Sequence, residues 1–441
     1  MPGQPQVGYS YDSASRVTSI TQGSSLVQFA YDSASRRTML TLPNGVTTQS
    51  GYDSASRLTS LAYKLGTTVL GDLQYSYDAA GNRSQVGGAW ARTGLPQPLT
   101  GASYNANNQQ VAFGGQTLTY DLNGNLTSDG TNTYTWDARN RLAAITGPVP
   151  ASFVYDATGR RARKAINGTV TDFLYDGVNP TQELSGAGAA SLLTGLGIDE
   201  HFVRTDTSGA SALLTDALGS TVALTDVAGA VQTQYTYEPF GATTVTGPTI
   251  TSRYDYTGRE NDGTGLYYYR ARYYSPGLQR FMSEDPLGLA AGDASFYSYA
   301  HNNPVIYTDP LGYGAIDRTL DWITPRILRF PRFPVLVFIP VAIVEVIAKG
   351  PCIIPKTAVQ AAAAYYGSQA GSALGFSFGF AVGEAIVPFG GGLPGGVAGW
   401  VVGGTGGSFA AAWSAGVLID AITPSGACAV PKVEGRSKSS Q

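Results

Sequence analysis

The sequence has little charge. Of 441 residues only 28 are Lys or Arg and 31 Asp or Glu, so 13% are charged, about half the ~25% of a typical soluble domain. The net charge of −3 argues against nucleic acid as a partner, because phosphate binding needs a basic excess. The sequence has two Cys, too few for a disulfide-built scaffold or a thiolate cluster. The two His, His201 and His301, show no metal-ligand spacing with carboxylates, and His301 reads as a turn residue beside Asn302-Asn303-Pro304. No phosphate loop and no Gly-x-Ser-x-Gly elbow is present, so no metal and no cofactor is expected. The opening Met1-Pro-Gly-Gln-Pro-Gln has neither a basic start nor an apolar run, so no classical signal peptide is expected. Disorder is excluded by the 43% hydrophobic and 11% aromatic content.

What is present is unevenly placed. Of 27 Tyr, 25 fall within residues 1–313, and only Tyr365 and Tyr366 lie beyond. Between Thr357 and Ile419 the one charged residue is Glu384. Two physical problems are being solved, with the boundary near Tyr313/Gly314. The expected domains are a repeat array at 1–253, a core at 254–313, a basic and apolar linker at 314–356, and a C-terminal module at 357–441.

The array is built on repeats. Tyr-Asp-Ser-Ala-Ser-Arg starts at Tyr11, Tyr31 and Tyr52, and looser copies start at Tyr77, Tyr120, Trp136 and Tyr155. The aromatic closes a strand, and Asp starts a turn by bonding its own backbone two residues on. Gly or Asn is expected at the positive-φ position, and Arg restarts an alternating strand. Each unit is then a β-hairpin of roughly 20 residues. One hairpin cannot bury its own face, so neighbours must pair into a continuous antiparallel sheet.

These Tyr-Asp units resemble those of Rhs and YD-repeat proteins. The stretch from Tyr254-Asp-Tyr-Thr-Gly-Arg through Tyr267-Tyr-Tyr-Arg-Ala-Arg-Tyr-Tyr, Asp285-Pro-Leu-Gly, Asn302-Asn-Pro and Asp309-Pro-Leu-Gly resembles the Rhs repeat-associated core domain. The resemblance implies a mainly β fold in which the hairpins form a spiral β-sheet, a shell segment around a variable C-terminal toxin or effector. It also implies an intramolecular aspartyl protease. Asp285 and Asp309 would be the catalytic pair, and Arg280 would hold a carboxylate. The cut would fall at Tyr313–Gly314, where Tyr313 replaces the family's usual Leu. The residues alone also allow ordinary Asp-Pro turn chemistry. A close carboxylate pair would supply an acid and a base, since both cannot ionise cheaply.

Beyond residue 356, Gly367, Gly371, Gly375, Gly379 and Gly383 are spaced by four, as are Gly391, Gly395, Gly399, Gly403 and Gly407. On a helix that spacing makes one stripe of small residues. In water such a helix is costly, whereas in a bilayer the stripe allows close packing. The expectation is a glycine-zipper helical hairpin whose residues 357–419 insert into a lipid bilayer and self-associate through the stripes. A soluble Gly/Ala-rich helical pair is the other reading. Cys352 and Cys428 bracket the hairpin in matching Cys-x-x-Pro-Lys contexts and form a candidate disulfide.

Three functions follow as expectations, the third being a soluble enzymatic toxin whose active site the sequence does not reveal. One is a polymorphic-toxin-like delivery protein that presents, and releases by self-cleavage, a membrane-inserting module. It would be secreted or cell-surface-associated, bacterial, and served by a secretion or immunity partner. Another is a membrane-anchored surface protein whose repeats bind partners, carbohydrate or a cell surface, without cleavage.

Overall fold

The structure is a computed structural model that describes residues 5–91, 94, 101–247 and 252–317. The expected glycine-zipper hairpin, its ten glycines and the Cys352–Cys428 pair lie outside the described residues. The described residues belong to one compact unit, Met1–Asp321. They form antiparallel sheets and three short 3₁₀ turns, with no α-helix among them. Among the described residues no helix is long and apolar enough to cross a membrane.

Two large sheets carry the repeats. The first has eight strands, from Val7–Tyr11 to Arg83–Gly87, and the second fourteen, from Thr119–Tyr120 to Thr243–Thr246. In both, each strand pairs with its neighbour in sequence, as hairpin units demand. A three-stranded sheet spans residues 103–117.

The repeat turn explains this order. In the first unit, Asp12 Oδ1 accepts the amides of Ala14 and Arg16, each at 2.9 Å, and Arg16 Nε donates to Asp12 Oδ2 at 2.7 Å. Arg16 then reaches onward. Its guanidinium donates to the Asp32 carbonyl at 3.0 Å and lies 4.9 Å from the centre of the Tyr31 ring. The Tyr31 hydroxyl returns a bond to the Val17 carbonyl at 2.8 Å. Arg36 treats Asp53 and Tyr52 in the same way, and Arg57 treats Asp78 and Tyr77. The positive-φ residue in these three turns is Ser15, Ser35 or Ser56, not Gly or Asn as the composition of turns suggests. The strand register also slips by one residue at Tyr11, Tyr31, Tyr52 and Tyr77. Such a bulge bends the strand and increases its twist.

The first sheet packs its buried face on the later strands of the second. Ile20, Val27, Leu61 and Tyr63 share one core with Leu193, Phe202, Leu214 and Ala223. The earlier strands of the second sheet pack instead on residues 266–282, with Leu142 and Phe153 meeting Tyr268, Tyr273 and Met282. That segment joins Glu260–Asn261 in a four-stranded sheet, completed by Tyr267–Tyr269, Arg272–Ser275 and Arg280–Phe281. Its other face holds a buried aromatic cluster of Tyr256, Tyr267, Tyr269, Tyr274, Phe281 and Tyr299.

Candidate active site

Two arginines stand in the aromatic run 267–274. A charge placed there must be buried, and a buried charge needs a partner. Arg272 is buried and finds two. Its Nη2 lies 2.6 Å from Asp285 Oδ2 and 3.1 Å from Asp309 Oδ2. Nε donates to the Gly312 carbonyl at 2.7 Å, and Nη1 to the Phe296 carbonyl at 3.0 Å. The Phe281 ring stacks on the guanidinium, with its centre 3.6 Å away. Asp285 and Asp309 are therefore brought to one guanidinium nitrogen.

Arg280 is not part of this set. Its guanidinium lies 4.8 Å from the centre of the Tyr104 ring and donates to the Asn108 carbonyl at 3.3 Å. The carboxylate-holding role expected of Arg280 falls geometrically to Arg272. In an antiparallel hairpin, facing is set by strand register rather than by nearness in sequence. Arg272 lies on the strand paired with Arg280–Phe281, thirteen positions before Asp285, which follows the end of that strand.

The two Asp-Pro-Leu-Gly tetrads are modified repeat turns. In the repeat, Ser15 N donates to the Asp12 carbonyl and Arg16 N to Asp12 Oδ1. In the second tetrad, Gly312 N donates to the Asp309 carbonyl at 3.2 Å, and Tyr313 N to Asp309 Oδ1 at 3.0 Å. In the first, Gly288 N meets the Asp285 carbonyl at 2.9 Å, and Leu287 N meets Asp285 Oδ1 at 2.8 Å. The difference is the residue four positions on. Where a repeat has Arg, the tetrads have Leu289 and Tyr313, so the cation must come from Arg272.

That exchange changes the acidity. In the repeats, the amide of the following Arg, against the cost of burial, and then its guanidinium hold Asp12, Asp32 and Asp53 below the usual carboxylate range. Burial pushes Asp285 up, and Arg272 offsets this only in part. Burial pushes Asp309 up to about 6, opposed by Arg272 and aided by the Asp285 charge. Two carboxyls at one cation, both pushed up by burial and Asp309 to about 6, can divide the roles of proton donor and proton acceptor.

Asp309 lies at a peptide bond. Gly314 N donates to Asp309 Oδ2 at 3.0 Å, so Asp309 grips the amides on both sides of Tyr313. Residues 310–312 are held from the other side. Arg270 bonds the Pro310 carbonyl, Ala271 N donates to the Leu311 carbonyl at 3.2 Å, and Arg272 takes the Gly312 carbonyl. Gly312 has φ +70°, and a Cβ there would stand 2.4 Å from the Tyr269 carbonyl. No other residue fits this approach. Of the two histidines, His301 meets Asp293 at 3.0 Å in a surface turn. His201 packs on Tyr254, and burial pushes it down to about 4.

A model of the teneurin YD-shell matches residues 47–305, and an RHS repeat model matches residues 11–47. The chain belongs to the teneurin YD-shell family. Among its relatives, the tRNA nuclease WapA of Bacillus subtilis (strain 168) is 32% identical over 265 residues, covering 55% of this chain and 11% of that protein. The double-stranded DNA deaminase toxin A of Burkholderia cenocepacia (strain H111) is 28% identical over 283 residues, covering 54% of this chain and 19% of that protein. Toxin subunit YenC2 of Yersinia entomophaga is 39% identical over 94 residues, covering 20% of this chain and 10% of that one. The YD-shell chain described here thus matches less than a fifth of the length of these relatives. In fold it is similar to the TcdB2–TccC3–Cdc42 crystal structure, with TM-score 0.53 and 20% identity over 69% of this chain and 20% of that one. It is similar also to the Photorhabdus luminescens Tc holotoxin pore, with TM-score 0.51 and 19% identity over 70% of this chain and 20% of that one.

Proposed function

We propose that this chain is the YD-repeat and core part of a polymorphic-toxin-like delivery protein, secreted or held at the cell surface, that cuts itself after Tyr313. The observation that carries the reading is Asp309, a buried carboxyl with raised pKa on the nitrogen of the Tyr313–Gly314 peptide, sharing Arg272 with Asp285. In the reaction, Asp285 takes a proton from a water that attacks the Tyr313 carbonyl carbon. Asp309, protonated, gives its proton to the Gly314 nitrogen as the C–N bond breaks. The products are a carboxylic acid at Tyr313 and an amine at Gly314, and the acid's proton then passes to the amine to leave a carboxylate and an ammonium. Arg272 balances the charge shared between the two carboxyls. The toxin names of the relatives support the delivery role. Beyond the cut, residues 357–419 hold one charge, which favours a lipid-facing module over a hydrolytic one. The glycine spacing supports bilayer insertion, with self-association through Gly367–Gly383 and Gly391–Gly407.

Intact mass of the purified full chain tests the cleavage. The expected result is two fragments, the second beginning at Gly314, and a single species in Asp285→Asn, Asp309→Asn and Arg272→Gln. A full-length species in the unaltered chain refutes self-cleavage. Dye-loaded liposomes test the module. Leakage with the full chain, absent from a chain ending at Asp317, supports a pore. Binding without leakage supports an anchor, and no lipid association refutes both.

A further inference from the structure

The second tetrad is held by more than the catalytic set, and one of its supports comes from the repeat sheet. Arg270 sits at the tip of the hairpin Tyr267–Tyr269/Arg272–Ser275 with φ +58°. From there its guanidinium bonds the Pro310 carbonyl. The same guanidinium is fixed from behind by Asp199, whose Oδ1 and Oδ2 accept from Nη2 at 2.6 Å and Nη1 at 3.1 Å. Asp199 belongs to the turn between the repeat strands Gly188–Thr194 and His201–Asp206, and its side chain is 0% exposed. It is itself placed by the repeat sheet. Its amide donates to Asn179 Oδ1 at 3.0 Å, its φ is +60°, and Arg259 Nη1 meets its Oδ1 at 2.6 Å. A continuous line of bonds therefore runs from repeat strand 179–185 through Asp199 and Arg270 to the residue next to Asp309.

We propose that Asp199 is a positioning residue for the second tetrad, acting through Arg270 so that residues 309–314 are ordered only when the repeat sheet has closed on the core. This rests on the self-cleavage reading for its functional meaning. Its structural content stands apart from that reading. Arg270 also donates to the Val178 carbonyl at 3.2 Å and to Asn179 Oδ1 at 3.3 Å, and the bidentate pair with Asp199 adds the charged contact that fixes the plane of its guanidinium. The Pro310 carbonyl is one peptide away from the carboxyl that meets the Gly314 nitrogen. Looseness of about 1 Å at such a distance costs on the order of 10²-fold in rate. The line would make cleavage report on folding: an incompletely paired repeat sheet would leave the peptide uncut.

The test is amide hydrogen exchange on the full chain, with Asp285→Asn as background so that the chain stays whole. Asp199→Asn and Arg270→Gln are each expected to speed exchange at Gly312, Tyr313 and Gly314 at least tenfold. Ser56 and Arg57, in a distant repeat turn, should stay within twofold. The double variant should be no faster than either single one, because both act along one line. Arg270→Lys, which keeps the charge and a donor, should return most of the protection. In the cleavable chain, Asp199→Asn should slow fragment formation at least tenfold. Unchanged protection at 312–314 overturns the inference, whatever the cleavage rate does. If the unaltered chain is never cut, self-cleavage falls and the exchange comparison still decides the positioning. If Asp199→Asn also exposes Ser56 and Arg57, Arg270→Gln decides, because it leaves Asp199 paired with Arg259.

Discussion

An aspartate at the head of a Tyr-Asp turn takes its chemistry from the residue four positions on. Where that residue is an Arg turned back onto it, as at Asp12, Asp32 and Asp53, the carboxyl is held ionised. Asp255 heads the turn Tyr254–Arg259, but Arg259 is diverted to Asp199. Asp255 keeps only the Asn261 amide at 3.1 Å, and burial pushes it up to about 7. The ordinary value is ~3.9. Between pH ~4 and about 7 the folded chain therefore holds a proton at Asp255 that the unfolded chain has lost. Stability from this group is full below pH ~4 and gone above about 7, on the order of 4 kcal/mol in all. His201, pushed down to about 4, acts in the opposite sense up to its ordinary ~6.5. The Asp255 effect is therefore read as a difference. In urea melts, Asp255→Asn should gain on the unaltered chain as pH rises from 4 to 7.5. A constant difference over that range would refute it. At the same scale, Arg272→Gln should abolish cleavage and Arg280→Gln should leave it intact, checked by fragment mass. The tetrad aspartates were legible in the sequence because both sit in the same four-residue context. Arg272 was not, because the choice between Arg270, Arg272 and Arg280 depends on hairpin register. The available signal was physical: cations inside the aromatic run 267–274, which points to Arg270 and Arg272 ahead of Arg280 without choosing between the two.

At the scale of the strand and turn, the sequence is a good guide, because the repeat is stabilised by neighbours in sequence. The spacing of Tyr11, Tyr31 and Tyr52 predicts hairpins, and the sheet order follows it strand by strand. Two details escape composition. The register slip at each Tyr leaves no compositional mark. The positive φ falls on Ser in the three exact repeats, although the Asp carboxylate bonds the amides two and four positions on there just as it does in the Gly turns at Asp121 and Asp156. A non-Gly residue there costs roughly 1–2 kcal/mol. Ser15→Gly should therefore stabilise by about 0.5–1 kcal/mol, seen as a rise in thermal midpoint. Arg36→Ala should cost about 1–2 kcal/mol, since it removes an ion pair, a ring contact and a bond to the next turn together. The readout is the denaturant midpoint.

At the scale of the whole described unit, the core segment is bolted to the repeat sheet by buried charge. Arg161 lies 2.5 Å from Glu260 and 2.5 Å from Asp262, Lys164 bonds both, and all four side chains are nearly fully buried. Removing one partner of such a set leaves an uncompensated charge and costs about 3–5 kcal/mol. Glu260→Gln should lower the denaturation midpoint accordingly, and a loss under 1 kcal/mol would show that the set is not a structural bolt. Nothing in the sequence pairs residue 161 with residue 260, since long-range pairing is a property of the closed sheet.

One small element bears on what happens after a cut. Tyr307–Thr308 pairs with Ile316–Asp317, so two residues beyond Gly314 the chain is already back in a ladder with the segment before the tetrad. Breaking the Tyr313–Gly314 bond would leave the two ends side by side, stitched by that ladder. Hydrolysis would convert a covalent tether into a noncovalent latch. The ladder would oppose separation of the two fragments under native conditions, so a denaturing gel would report the break before a sizing column did.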